Sequence, residues 1–163
     1  MLFDPRPKER REEIFDREKE LESILNGMNE YPISLIIGIR RVGKSSLLKV
    51  ALNEYSGIGI YMDTRRLYSA GSGSISSAML VDEITRILLG KGRVGFLRGG
   101  IKVEEINLLG LHLKPRESTW VDVLDRLEQF GRKTGKKVVI AFDEAQYLRF
   151  FGSRGGVKTS SQE

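Results

Sequence analysis

The chain has 163 residues, of which 40% are hydrophobic and 30% are charged, a balance that supports one globular domain and excludes a disordered tail or a collagen-like repeat. It contains no cysteine and one histidine, so disulfide frameworks, thiol nucleophiles, thiolate metal sites and histidine-rich metal sites are excluded. The net charge of +5 is only mildly basic, and it does not by itself indicate a nucleic-acid binder, because such proteins cluster their positive charge.

The location expected from the sequence is the cytoplasm, without membrane contact. The first residues lead into charged residues rather than the apolar stretch of a secretory signal. No run approaches the roughly 20 apolar residues of a membrane span. Basic residues without acidic neighbours lie between residues 86 and 102, and both a solvated loop and a contact with nucleic-acid phosphates stay open for them.

The first half of the chain alternates predicted helices and strands. Asp16 is the predicted N-cap of a helix over residues 17–29, whose apolar residues recur at helical spacing. Residues 33–37 form a short apolar run with β-branched residues, typical of a fully buried strand. A second helix is predicted from Lys44, followed by a second strand over residues 58–63.

The second half continues the alternation. Residues 68–77 are rich in serine and glycine and predict a mobile loop before a third helix, which ends near residue 90. Alternating apolar residues near 99–113 predict a β-hairpin insertion. Thr119 and Asp122 fit the capping box of a further helix, and residues 138–142 predict a second strongly buried strand. The pattern favours an α/β sandwich with a mostly parallel sheet.

One segment matches G-x-x-x-x-G-K-[ST], the phosphate-binding P-loop or Walker A pattern. It consists of Gly38, Ile39, Arg40, Arg41, Val42, Gly43, Lys44 and Ser45. It lies between a predicted strand and a predicted helix, so the amides and the positive dipole end of that helix would cradle phosphate oxygens. Lys44 would contact the β and γ phosphates, and Ser45 would place its hydroxyl on Mg²⁺. The alternative is a glycine-rich turn with an exposed lysine.

Two carboxylates, Asp143 and Glu144, follow the last predicted strand, as in the Walker B pattern. Asp143 would hold the magnesium ion with its hydration shell, and Glu144 would polarise the attacking water. An acid that caps the next helix is the alternative. The predicted catalytic residues are therefore Lys44 and Glu144, and the predicted metal residues are Ser45 and Asp143. The second carboxylate favours ATP hydrolysis over kinase chemistry, because a small-molecule kinase does not need to activate water.

These strings resemble the archaeal ATPase family, in the AAA+ and STAND-like branch of P-loop NTPases. The matching residues are 15–21, 38–48 and 142–146. The resemblance implies a three-layer P-loop NTPase sandwich, binding of ATP with Mg²⁺, hydrolysis, and a conformational switch driven by the nucleotide state. It also implies that Phe15 and Arg17 lie near the adenine, and it adds Ser46 to the expected nucleotide contacts.

The same resemblance implies an incomplete sheet. We expect a single P-loop ATPase domain over residues 1–163, with a flexible tail over residues 152–163. In the family, the strand that follows the Asp-Glu pair is inserted between the two buried strands, and the residues after Phe151 have no strand pattern. The expectation is a truncated or incomplete ATPase core, in which residues 33–37 and 138–142 do not pair directly.

Two functions stay open at this point. The chain is either an ATP hydrolase or a non-catalytic module that binds nucleotide or a partner, including a fragment of a larger ATPase with little turnover. A DNA or protein partner would act through the C-terminal region that the resemblance implies to be missing. The sequence does not determine the oligomeric state or what hydrolysis drives.

Overall fold

The structure is a computed structural model that describes residues 7–92, 95–98 and 119–152. Its helices and strands, in chain order, are α1 (Glu18–Glu30), α2 (Lys44–Glu54), β1 (Ile58–Asp63), α3 (Thr64–Ala70), α4 (Ser77–Leu88), β2 (Gly95–Arg98), α5 (Trp120–Thr134) and β3 (Val138–Asp143). Short 3₁₀ helices cover Arg11–Glu13 and Ala145–Phe150. Among the helices in these ranges, none combines the length and apolar character that a membrane crossing requires.

The described sheet has three strands in the order β2-β1-β3. β1 and β3 run parallel, in a register that aligns Ile58 with Val138 and Asp63 with Asp143. β2 pairs with the other edge of β1 in the antiparallel sense. Because parallel strands end at the same edge of a sheet, the register brings the residues that follow β1 next to the Asp143–Glu144 pair.

Helices cover both faces of the sheet, which confirms the predicted α/β sandwich. On one face, Ile58, Ile60 and Met62 of β1 pack in one apolar cluster with buried residues of α3, α4 and α5. On the other face, Tyr61 of β1 and Ala141 of β3 share a second cluster with buried residues of α1 and α2. Because side chains alternate along β1, this strand contributes to two cores, one on each face of the sheet.

Residues 33–37 form neither a helix nor a strand and lie outside the described sheet, so the prediction of a fully buried strand is wrong. Ile33, Leu35 and Ile37 are 86%, 74% and 84% exposed. The prediction of strong burial for residues 138–142 is also wrong, since Ala141 is the one buried residue of β3. The physical reason is the same for both segments: an apolar run becomes buried when neighbouring strands and helices cover it. No described strand pairs with residues 33–37 or with the outer edge of β3.

An open groove of about 3070 Å³ is lined by residues 33–37 together with β3 and the start of α2. Within the described residues, the expected gap in the sheet is therefore present, and residues 33–37 do not pair with β3. The structure agrees in this respect with the prediction of an incomplete sheet.

Two local predictions near helix ends need correction. Arg17, not Asp16, is the N-cap of α1, and it makes no side-chain capping hydrogen bond; Asp16 precedes the helix with a φ of +52°. The predicted loop over residues 68–77 is shorter, since α3 continues to Ala70. The carboxylate of Asp63 starts that helix by accepting a hydrogen bond from Arg66 N at 3.0 Å.

Other sequence predictions are confirmed. The helix from Lys44, the strand over residues 58–63 and the capping box of Thr119 and Asp122 are all present. β2, to which the sequence analysis assigned no strand, pairs with β1. The predicted hairpin near 99–113 and the predicted tail beyond residue 152 lie outside the described residues.

Candidate nucleotide site

The segment that matches the phosphate-binding pattern, residues 38–45, joins residues 33–37 to α2. Its turn needs left-handed backbone at two positions, with φ of +68° at Arg41 and +83° at Gly43. Gly43 is the N-cap of α2, where the absence of a Cβ removes the steric cost of that conformation. The first turn of α2 contains no acidic residue. The positive end of α2 therefore faces the groove without a neutralising carboxylate of its own.

Lys44 is folded back onto the loop. Its Nζ donates hydrogen bonds to the backbone carbonyl oxygens of Gly38 at 2.8 Å and Ile39 at 2.6 Å. These contacts close the loop and hold the ammonium group at the start of α2, where an anion would lie.

Ser45 connects the loop to the carboxylate pair at the end of β3. Ser45 Oγ donates to Asp143 Oδ1 at 3.1 Å, which joins two motifs separated by 98 positions. The backbone N–H of Glu144 donates to the same oxygen at 2.9 Å. Tyr61 Oη donates to Asp143 Oδ2 at 2.7 Å. The carboxylate of Asp143 is thus held at both oxygens.

The backbone after β3 is fixed by Thr64, a fully buried residue at the start of α3. Thr64 Oγ1 lies 2.7 Å from the carbonyl oxygens of both Asp143 and Glu144. Glu144 has a φ of +54°, in the left-handed region. Gln146 Nε2 donates to Glu144 Oε2, so the second carboxylate is held by its own 3₁₀ helix.

The residues at this junction fit a magnesium ion. The Ser45 hydroxyl and the Asp143 carboxylate are hard oxygen ligands, and their 3.1 Å separation is close to the roughly 2.9 Å between adjacent ligands of an octahedral Mg²⁺ site. No group of three or more His, Cys, Asp or Glu suited to a metal occurs among the described residues. A metal held here would therefore share its coordination with a ligand that brings further oxygens.

The remaining predicted contacts are placed less uniformly. Arg40, Arg41 and Ser46 line the groove. Ile39 is 78% exposed, and Val42 packs near Gly38, whose position leaves 3.4 Å between an added Cβ and Val42 Cγ2. The Ser46 hydroxyl accepts a hydrogen bond from the backbone N–H of Lys8 at 3.0 Å.

Phe15 and Arg17 are not brought to the loop. Phe15 is 91% exposed, and Arg17 forms an ion pair with Glu20 at 2.7 Å. Neither residue lines the groove. Their role as base contacts stays a prediction.

Tyr61 and Thr64 were missed by the sequence reasoning. Tyr61 lies near the end of β1, and Thr64 directly follows that strand. Neither residue belongs to the phosphate-binding motif or to the carboxylate motif. The available signal was positional: a parallel neighbour of the strand that carries the carboxylates ends beside them.

Comparisons with known proteins agree with this fold. A family model described as an ATPase domain predominantly from Archaea matches residues 14–159. Among solved structures, the chain is similar to a Walker-type ATPase of Pyrococcus abyssi, with 41% sequence identity and a TM-score of 0.69. The alignment covers 96% of this chain and 42% of that one. The search of curated proteins gave no match. Because the family model spans most of its length, the chain belongs to the family of ATPase domains found predominantly in Archaea.

Proposed function

We propose that this chain binds ATP with Mg²⁺ at residues 38–46 and hydrolyses it with the help of the Asp143–Glu144 pair. The observation that carries the proposal is the hydrogen bond between Ser45 and Asp143, which joins the phosphate-binding pattern to the carboxylate pair across the groove. Membership of an ATPase family supports the same function.

Each side chain has a chemical role in this proposal. Lys44 exchanges the carbonyl oxygens of Gly38 and Ile39 for phosphate oxygens, which carry more negative charge. Ser45 and Asp143 hold the magnesium ion, which when bound neutralises charge on the phosphate oxygens. Glu144 accepts a proton from the attacking water as a general base.

The same contacts suggest how hydrolysis would switch conformation. The bond of Lys44 to Ile39 and the bond of Gln146 to Glu144 both involve groups that the nucleotide would engage. Nucleotide binding would release them, and product loss would restore them. We place the chain in the AAA+ and STAND-like branch and in the cytoplasm, with DNA or another protein as the client that this switch would act upon.

The first experiment is calorimetric titration of the chain with ATP and Mg²⁺, run beside Lys44→Ala. We expect binding in the micromolar range and a loss of about tenfold or more in the variant, because a charge-assisted hydrogen bond contributes about 1.5–3 kcal/mol. Lys91→Ala is the control, since Lys91 is an exposed lysine that does not line the groove. Failure of the unmodified chain to bind ATP would contradict the proposal.

A non-catalytic nucleotide-binding module is the second candidate. It is favoured by the contact of Gln146 with Glu144, which occupies an oxygen of the proposed base. Glu144→Gln separates the two functions by steady-state phosphate release and by calorimetry. If the chain hydrolyses ATP, the variant should lose turnover and keep an ATP affinity within about twofold of the unmodified chain. A binding module predicts negligible phosphate release from the unmodified chain and no change in the variant.

A further inference from the structure

Tyr61 connects the core of the sandwich to the proposed metal site. Its ring is buried in the apolar cluster shared with α1 and α2, with 6% of the residue exposed. Its hydroxyl emerges from this cluster and donates to Asp143 Oδ2 at 2.7 Å. Lys49 Nζ lies 5.4 Å from the centre of the ring, so the ring is covered on that side as well.

The contact decides which way the carboxylate of Asp143 faces. A carboxylate turns about the bond that joins it to Cβ, and that torsion is broad. With Oδ2 held by a buried phenol, Oδ1 is directed at Ser45 Oγ and Glu144 N.

We propose that Tyr61 is a positioning residue for the metal site: its hydroxyl fixes the Asp143 carboxylate in the orientation that serves the magnesium ion bound with the nucleotide. This inference rests on the proposed function. Tyr61 touches neither nucleotide nor metal in this scheme, and it acts through Asp143. Its effect therefore depends on the metal, whereas a purely structural tyrosine would affect all nucleotide binding alike.

The chain offers a matched control in Tyr55, the C-cap of α2. Tyr55 belongs to the same apolar cluster and is 5% exposed, close to the value for Tyr61. Its hydroxyl is buried and has no hydrogen-bond partner within the described part of the chain. Tyr55→Phe thus removes the same group from the same core without touching a carboxylate.

The test compares ATP affinity in excess Mg²⁺ with ATP affinity in EDTA, by calorimetry, for the unmodified chain, Tyr61→Phe and Tyr55→Phe. Removal of a partner that orients a metal ligand typically weakens metal binding by about 10–100-fold. We expect Tyr61→Phe to lose about tenfold of the gain in affinity that Mg²⁺ provides, with affinity in EDTA unchanged within about twofold. Tyr55→Phe should keep the full gain.

A double-mutant cycle shows whether Tyr61 acts through Asp143. In an Asp143→Ala background, Tyr61→Phe should have no further effect on the Mg²⁺-dependent gain. The proposal is overturned if Tyr61→Phe keeps the full gain in ATP affinity that Mg²⁺ provides, or if it loses ATP affinity equally with and without Mg²⁺. It is also overturned if Tyr61→Phe reduces that gain as much in the Asp143→Ala background as in the unmodified chain. Absence of ATP binding by the unmodified chain would be a different result, because it refutes the proposed function itself.

Discussion

Thr64→Val removes the hydroxyl that fixes the backbone after β3 and leaves the shape of the side chain almost unchanged. Thr64 is fully buried, and its Oγ1 lies 2.7 Å from the carbonyl oxygens of Asp143 and Glu144. One hydroxyl proton is shared between these two acceptors. A net hydrogen bond contributes about 0.5–1.5 kcal/mol, and a buried acceptor left without a partner costs about 1–3 kcal/mol.

The expected loss of stability follows from the surroundings of the two carbonyl groups. Asp143 and Glu144 are only half-buried, so water from the groove can reach part of their surface. We therefore expect a decrease of about 1–2 kcal/mol in the free energy of unfolding, below the upper end of the range for a fully buried acceptor. Glu144 has left-handed backbone, which costs about 1–3 kcal/mol when nothing holds it, so its carboxylate should also lose its fixed direction.

Urea unfolding followed by circular dichroism measures the first effect, and phosphate release measures the second. Thr85→Val is the control, because Thr85 Oγ1 donates at 2.7 Å to Val81 O within α4. A carbonyl inside a helix is also an acceptor for the helix backbone, so loss of the hydroxyl does not leave it without a partner. That variant should change stability by less than about 0.5 kcal/mol. The reasoning is refuted if Thr64→Val is as stable as Thr85→Val, or if it is destabilised while phosphate release stays unchanged.

Two further predictions concern the core and the acid limb of stability. Ile60→Ala should lower the free energy of unfolding by about 2–5 kcal/mol, because Ile60 is fully buried. Leu35→Ala should change it by less than about 0.5 kcal/mol, because Leu35 is 74% exposed. Comparable losses for the two variants in urea unfolding would contradict the placement of residues 33–37. Hydrogen bonds from the backbone N–H and then from the hydroxyl of Thr119 lower the pKa of Asp122 in the folded chain. The ionised Asp122 carboxylate therefore stabilises the fold fully above the ordinary carboxyl pKa of about 3.9, and this stabilisation is lost as the pH falls through the lowered pKa of the folded chain. Thermal unfolding midpoints should therefore fall less steeply with acid below about pH 4 in Asp122→Asn than in the unmodified chain, and parallel curves would argue against the capping box as the cause.

The parts of the fold that sequence predicted well depend on local chemistry. The capping box of Thr119 and Asp122 and the helix from Lys44 follow from side chains within a few residues of each other. The contact between Ser45 and Asp143 joins distant residues, but each belongs to a motif that is itself recognisable in the sequence. Local signals of this kind survive changes elsewhere in the molecule.

Residues 33–37 illustrate what a local signal does not contain. Their apolar, β-branched pattern predicts a buried strand, and the structure has no strand there. Burial, however, is a property of neighbours, and no described strand covers this segment or the outer edge of β3. Ile33, Leu35 and Ile37 are exposed because a local apolar pattern contains no information about which neighbours will cover it.

Tyr61 could have been found from the register of the sheet, although no motif contains it. Aligned residues of parallel strands face the same side, and the register aligns Tyr61 with Ala141 and Asp63 with Asp143. Side chains two positions apart on a strand share a face, so Tyr61 and Asp143 are diagonal neighbours, within the reach of a long aromatic side chain. The register requires knowledge of which strands are adjacent, and β1 and β3 are separated in the chain by α3, α4, β2 and α5. Once the strand order of a related chain is known, the feature to look for lies on the strand that neighbours the carboxylate-bearing strand. It is a long polar side chain two residues before the end of that neighbouring strand.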